Sequence, residues 1–471
     1  MIKMILISIL ALLHSSTIAS AQKMCSGFDF TRHIDYRLEC GIFRTLVADQ
    51  IKCQKTCVDT LRCFSVNVYR LENGTNICEL IRKSKDSRRE SACFVKKYGT
   101  EHNELVTSRN NCPSQTNSCH FDQQRKALPD DWYQLGTTAY KLFFKPLPWH
   151  KASEACKSKG AKLVQIKNEG ENRFIAETLL PDLRRPGTQL PDSMKPLAYW
   201  KLDGTDTNVQ LFGDSKYKKD VDGKTTVLNL PATASSYGET PSFDIRSSSF
   251  TMAVWTNMNQ GATYLYSRWG GGIEHFAYGF SDAKYILQFK DELGKKDFEK
   301  KIPAYYKRWT HYTAVWNRNT GTATLYVNAN KLHEVKLTTG VDYSSASAAK
   351  ANLPPLAPAF DIGYYRGVNY RMNGSLSQMY LFDRALESEE VEKIRDAAYM
   401  GNSAWIGLND INTEGRYMID DSRVASYINL APGQIANDVQ DCVSMRAWDE
   451  GRMDVNHCLY TALPYICMKQ V

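Results

Sequence analysis

The 471-residue sequence has no second long apolar run. After Met4 to Leu13, no stretch reaches the roughly 18 apolar residues that a membrane-crossing helix needs, so no membrane span is expected. Signs of catalysis are also missing. No Glu-x-Asp-x-Glu alternation puts two carboxylates on one strand face, as cleavage of a sugar bond would require. The nine histidines are scattered, and no Ser/His/Asp or Cys/His arrangement stands out. Asp291, Glu292, Asp297 and Glu299 sit in a lysine-laced segment that reads as a loop, and Asp383 with Glu387 to Glu390 belongs to a helix entry. The net charge of +8 is too moderate to mark a nucleic-acid binder, yet it suits acidic polysaccharides. The chain reads as non-enzymatic.

What is present starts at the N-terminus. Lys3, the apolar run and the small-residue end Ala19-Ser20-Ala21 read as a secretory signal peptide over residues 1–21. The expected location is secreted and extracellular, where most of the 13 cysteines should be disulfide-bonded. Cys53-x3-Cys57 lacks the second pair that a zinc site needs. Thirteen is odd, so at least one thiol stays free or bonds another chain.

Residues 22–98 hold seven cysteines: Cys25, Cys40, Cys53, Cys57, Cys63, Cys78 and Cys93. Such density suits a small module whose thin core needs staples. The run Cys53-x3-Cys57-x5-Cys63-Phe64, followed by Cys78-Glu79-Leu80, resembles the PAN/apple module. That resemblance implies Cys53–Cys78 and Cys57–Cys63, with Cys25–Cys93 closing the module and Cys40 unplaced. It implies recognition of proteins or glycans. The segment 81–90, with Arg82, Lys83, Lys85, Arg88 and Arg89, is either a heparin-like patch or a solvated hairpin face. Residues 99–130 are polar, read as a linker, and hold Cys112 and Cys119.

From 131 to 190 the pattern is packed again. Tyr140, Leu142 and Phe144 alternate as in a half-buried strand. Trp149, Ala152 and Cys156 fall at helical spacing, and Lys162 to Ile166 is a short strand. Asn168 with Glu171 makes a helix N-cap. At the far end of the chain, Trp405-Ile406-Gly407-Leu408-Asn409-Asp410, Cys442, Cys458 and Tyr465-Ile466-Cys467 recur in a fixed order. Segments 131–190 and 401–471 together resemble the two halves of a C-type lectin domain. The resemblance implies Cys156–Cys467 and Cys442–Cys458.

Between those halves, 191–400 is too long for a loop. Phe250, Met252 and Val254 alternate against Thr251 and Ala253, and Tyr312, Ala314 and Trp316 do the same. Asn319-Thr320-Gly321 turns the chain into Thr324 to Val327, a hairpin. Glu387 to Met400 reads as a closing helix capped by Ser388. The phrases Ala198 to Gly204, Ser249 to Trp255, Trp309 to Gly321 and Asn373 to Leu386 resemble a laminin-G-like, concanavalin-type jelly roll. The expected architecture is mainly β with α+β: a disulfide-rich module, then a C-type lectin-like fold split by an inserted antiparallel sandwich.

A C-type lectin binds sugar through calcium, which takes six to eight oxygens. The family's Glu-Pro-Asn position reads Gln434-Ile435-Ala436 here, and among the usual ligand positions Asp454 alone keeps a carboxylate. The usual calcium site is therefore expected to be lost and no cofactor is called for. A displaced calcium site from Asp438, Asp441, Asp449 and Glu450 is the alternative. Trp448 and Asp454 are candidate glycan contacts. So are Lys295, Lys296, Lys300 and Lys301 in the basic stretch that runs from Lys290 to Arg308. Asn73 and Asn373 start N-glycosylation sequons, each at a glycine turn. The expected partners are extracellular glycans, sulfated polysaccharides among them, and matrix or cell-surface glycoproteins. The expected role is recognition or adhesion. A structural matrix role through protein contacts and disulfide crosslinks is the alternative.

Overall fold

The computed structural model describes residues 29–83, 93–106, 126–184, 190–336 and 356–471. Positions 41, 61, 234, 260–262, 271–272, 282–283, 292–293, 303–306, 367–369, 420–422, 435–439 and 460 are left aside. The signal-peptide segment, Cys25, Cys112 and Cys119 lie outside the described residues, and so does the expected Cys25–Cys93 pairing.

The first module is a five-stranded antiparallel sheet. Its strand order is Asp29–Leu38, Phe94–Val106, Ser65–Arg70, Asn76–Ile81, Ile42–Val47. Residues 99–106, assigned above to the linker, are the second half of the Phe94–Val106 strand. They pair with both Asp29–Leu38 and Ser65–Arg70. One helix, Gln50–Val58, packs on the sheet, with the Asp49 carboxylate capping its start at Lys52 N–H (2.8 Å). Cys53–Cys78 ties that helix to a strand, and Cys57–Cys63 ties it to the following turn.

A second sheet has nine strands, drawn from both sides of residues 191–400. Its centre is Leu463–Gln470, antiparallel to Thr138–Leu147 with Tyr465 opposite Phe143. Trp405 of Ser403–Asn409 sits parallel against Tyr465. Two tryptophans cross-link the segments reciprocally. Trp149 Nε1 donates to the Ile406 carbonyl (2.8 Å), and Trp405 Nε1 donates to the Leu147 carbonyl (2.7 Å). Each therefore buries a large ring and still satisfies its one donor. Gly407 explains itself here. A Cβ at that position would sit 3.0 Å from the Leu163 carbonyl oxygen, and the Gly407 N–H donates to Val164 O (2.8 Å). Helix Trp149–Lys157 carries Cys156 to Cys467, and Cys442–Cys458 closes a loop. Asn168 accepts from Glu171 N–H (2.9 Å) at the start of helix Glu169–Thr178. Of the stretch Lys162 to Ile166, Lys162–Leu163 forms the paired strand.

The described residues between 198 and 382 form a jelly-roll-like sandwich of an eight-stranded and a seven-stranded sheet. Trp200, Phe250, Val254, Phe276, Leu287, Trp316 and Phe360 meet between the sheets. The alternation seen in Phe250–Met258 is real, but its second face is not solvated. Thr251 and Ala253 are buried, and so is Trp255. The closing helix covers Ala253, while Trp255 and Trp309 pack into the core of the nine-stranded sheet domain. The helix runs Ser388–Ala397 and its N-cap is Glu387, one residue before the expected Ser388. The reason is that the Glu390 carboxylate accepts from Glu387 N–H (3.0 Å), while Ser388 Oγ meets the Tyr326 hydroxyl (3.1 Å). Of the acids read as loop residues, Glu292 lies outside the described residues and the other three fall in a regular edge hairpin. Asp291 ends strand Lys284–Asp291, and Asp297 and Glu299 lie in strand Gly294–Lys301. No helix among the described residues is long and apolar enough to cross a membrane.

Candidate functional site

Strands Cys442–Arg446 and Met453–Asn456 are neighbours, so Arg446 and Asp454 reach each other across the ladder. Arg446 Nε donates to one Asp454 oxygen (2.7 Å) and Nη2 contacts the other (2.5 Å). Nη1 donates to Asp449 (2.8 Å). This is fork geometry, in which a planar guanidinium matches a carboxylate with two parallel bonds. Hydrogen bonds to Asp454, then to Asp449, push the Arg446 pKa upward, so the cation is permanent. Glu450, which is exposed, faces Arg452 (3.8 Å), and Arg452 also approaches Asp449 (3.6 Å). Gln434 uses its side-chain oxygen to accept from Val455 N–H (3.0 Å). Ile435, Ala436 and Asp438 lie outside the described residues. Among the described residues, one arginine thus holds two of the candidate carboxylates, and the Gln434 amide caps the backbone; this part of the donor set does not suit calcium. The ion would have to displace a fixed cation and still find most of its oxygens elsewhere.

Trp448 is not an open platform. It packs against the core of the nine-stranded sheet domain in a left-handed backbone conformation (φ 58°), and the Arg184 guanidinium lies 5.1 Å from its ring centre. Arg184 is the hub of the junction with the sandwich. It pairs with Asp220 and Asp222, donates through Nε to the Met400 carbonyl (3.1 Å), and also faces the Trp309 ring. Trp309 Nε1 donates to Asp220 (2.6 Å). The three charged side chains are 5–8% exposed. Asp222 is held below its ordinary pKa. Burial alone would raise it, but bonds from Thr225 and Lys224 and the Arg184 charge outweigh that.

The four lysine candidates differ in burial, although Lys296 and Lys300 lie on the same face of their strand. Lys296 turns into the sandwich, 7% exposed, and donates to Asp291 (3.0 Å) and Gly294 O (3.1 Å). It is therefore removed from the surface. Lys295, Lys300 and Lys301 are exposed. Lys295 pairs with Asp297 (3.5 Å) and sits over the Trp269 ring (5.4 Å). Nearby, Lys284 pairs with Glu299 and Lys290 with Glu274, so the basic stretch is interleaved with acids. Asn73 is exposed in a turn, and its side chain accepts from Thr75 N–H (3.0 Å). Asn373, expected at a turn, instead begins strand Asn373–Phe382 opposite Pro231 and accepts from Asn259 (3.0 Å).

Two cavities flank Phe144 on strand Thr138–Leu147. One of about 780 Å³ lies toward the closing helix, lined by Lys145, Glu389, Lys393 and Tyr399. The other, of about 550 Å³, lies toward the first module. Sequence reasoning missed both. The first joins residues 144–145 to 190–191 and 389–399, and the second joins 82–83 to 131–144 and 178–184; no local pattern signals either meeting.

The profile of the Concanavalin A-like lectin/glucanases superfamily matches residues 232–392, and that of the Lectin C-type domain matches residues 377–469. No curated protein sequence matches the chain. Among solved structures, the binding domain of Paraclostridial Mosquitocidal Protein 1 is 16% identical with a TM-score of 0.31; the match covers 40% of this chain and 47% of that one. Domain 4 of AbnA, a GH43 extracellular arabinanase from Geobacillus stearothermophilus, in complex with arabinotriose, is 15% identical over 42% of this chain and 98% of its own (TM-score 0.31). The binding domain of botulinum neurotoxin serotype G is 12% identical over 57% and 66% (TM-score 0.35). Likenesses at these TM-scores decide nothing about this chain.

Proposed function

We propose that this chain is a secreted, non-catalytic recognition and adhesion protein that binds extracellular glycans or glycoproteins without calcium. In this reading a PAN/apple-like module precedes a C-type lectin-like domain split by the inserted sandwich. The observation that carries the reading is the Arg446 clasp. Two lectin-type sequence matches lie in one chain, yet the carboxylate left at the expected calcium position, Asp454, is occupied by a guanidinium. Sugar binding would then rest on hydrogen bonds, apolar ring contacts and fixed cations, all of which work without a metal.

The test is a glycan array with sulfated glycans included, run in calcium and again in EDTA. Signal that survives EDTA is expected. Signal abolished by EDTA would overturn the calcium-free mode, and a blank array in both buffers would overturn glycan recognition itself.

A further inference from the structure

The cavity of about 550 Å³ beside Phe144 is built by two parts of the chain. The first module contributes Arg82 and Lys83, where strand Asn76–Ile81 ends. The nine-stranded sheet domain contributes Lys141 and the aromatic residues Tyr133, Phe143 and Phe144. Asp131 and Asp182 also line it, but each carboxylate is already engaged from across the junction: Arg82 pairs with Asp182, and Lys83 Nζ donates to Asp131 (3.1 Å). Lys141 donates to the neutral carbonyl of Asp130 and adds its charge to the same wall. Arg82, Lys83 and Lys141 therefore face Asp131 and Asp182 there, and a fourth cation in the lining, Arg184, is held by Asp220 and Asp222.

The surroundings carry the same sign. Asp131 is held below its ordinary pKa by Lys83, Lys141 and Arg82, against a burial effect that would raise it. Arg62 is pushed below its ordinary value, first by burial and then by Arg82 and Arg44. Cavities of roughly 300–1,000 Å³ take small ligands, with apolar walls for contact area and a few charged groups for orientation. A sugar ring presents a CH face to an aromatic wall, and an acidic substituent would face the cations.

We propose that this junction cavity binds an acidic sugar, a pyranose bearing sulfate or carboxylate, with Lys141, Arg82 and Lys83 facing the anion. The proposal goes beyond the glycan-recognition reading by naming a place and a ligand class, and it rests on that reading for the sugar.

The experiment is isothermal titration of the full secreted chain with two probes, a sulfated heparin disaccharide and an unsulfated hyaluronan disaccharide, at 50 and 200 mM salt. The comparison is wild type, Lys141→Gln, Arg82→Gln and, as an exposed basic control outside the cavity lining, Lys331→Gln. At least one probe should bind, more weakly at higher salt. Lys141→Gln should weaken it about tenfold, the usual effect of losing one charge-assisted bond. Arg82→Gln should weaken it at least as much, because it also frees the Asp182 carboxylate. Lys331→Gln should change nothing, and which probe binds assigns sulfate or carboxylate. Equal binding by wild type, Lys141→Gln and Arg82→Gln would overturn the cavity while leaving glycan recognition standing. So would silence toward both probes alongside array signal on neutral glycans. Silence toward both probes and the whole array would overturn both.

Discussion

Two arginines, Arg184 and Arg446, are each clasped by two aspartates, and they do different work. Arg184 sits between the sandwich and the nine-stranded sheet domain, 6% exposed, with tryptophan rings near both sides. Arg446 sits on one sheet, 27% exposed, and joins residues only eight positions apart. The chemistry of the two clasps is the same, but the solvent around them is not. Buried charges have no water to fall back on, so losing a partner strands the others. Partly exposed charges recover much of their solvation when a partner leaves. The first clasp is thus structural, while the second matters chiefly by occupying carboxylates that an ion would need.

The sharpest way to break the comparison is Arg184→Ala. It should cost about 3–5 kcal/mol, because Asp220 and Asp222 remain buried without their cation. Chemical denaturation followed by tryptophan fluorescence measures it, and a loss below about 1 kcal/mol would refute the buried-hub assignment.

Acid titration sharpens the junction further. His311, which packs against Trp255, has its pKa depressed to about 3 by burial and, secondarily, by Arg395. Between the unfolded value near 6.5 and about 3, the unfolded chain binds a proton that the folded chain refuses. Stability must therefore fall as pH drops through that window. His275, depressed to about 4, adds to the same slope, whereas Asp222, depressed below 3.8, contributes fully above about pH 4 and fails only in stronger acid. His311→Gln should reduce the slope of stability against pH at pH 5 by about 1.4 kcal/mol per pH unit. An unchanged slope would mean that His311 is not held neutral.

The smallest effects belong to the exposed clasp. Arg446→Ala should cost about 1 kcal/mol or less. Millimolar calcium or EDTA should move the wild-type melting temperature by less than about 1 °C, since an ion that does not bind the folded state cannot stabilise it. A rise of several degrees in calcium would restore the metal site that the clasp argues against.

Much of the local structure was readable from residue order. Trp405 to Leu408 is a buried strand, Asn168 caps its helix, and Asn319-Thr320-Gly321 turns one hairpin, because each depends on neighbours within a few positions. The four described disulfides follow cysteine order within resembled modules. The lysine-laced stretch misled, because dense charge reads as loop. Here it is an edge hairpin whose lysines and acids pair across the ladder and discourage edge-to-edge association.

What the sequence determined alone is the set of local preferences: strand periodicity, caps, turns, cysteine order, and the loss of Glu-Pro-Asn at Gln434-Ile435-Ala436. Tertiary structure decided the rest. It buried the second face of Phe250–Met258, turned Lys296 inward, and set Arg446 on Asp454. It also brought Arg82 of the first module beside Lys141. The physical reason is range. Backbone preferences and hydrogen-bonded turns are settled within a few residues. Burial and the effective charge of a side chain depend on whatever surface arrives opposite it, here from up to hundreds of positions away.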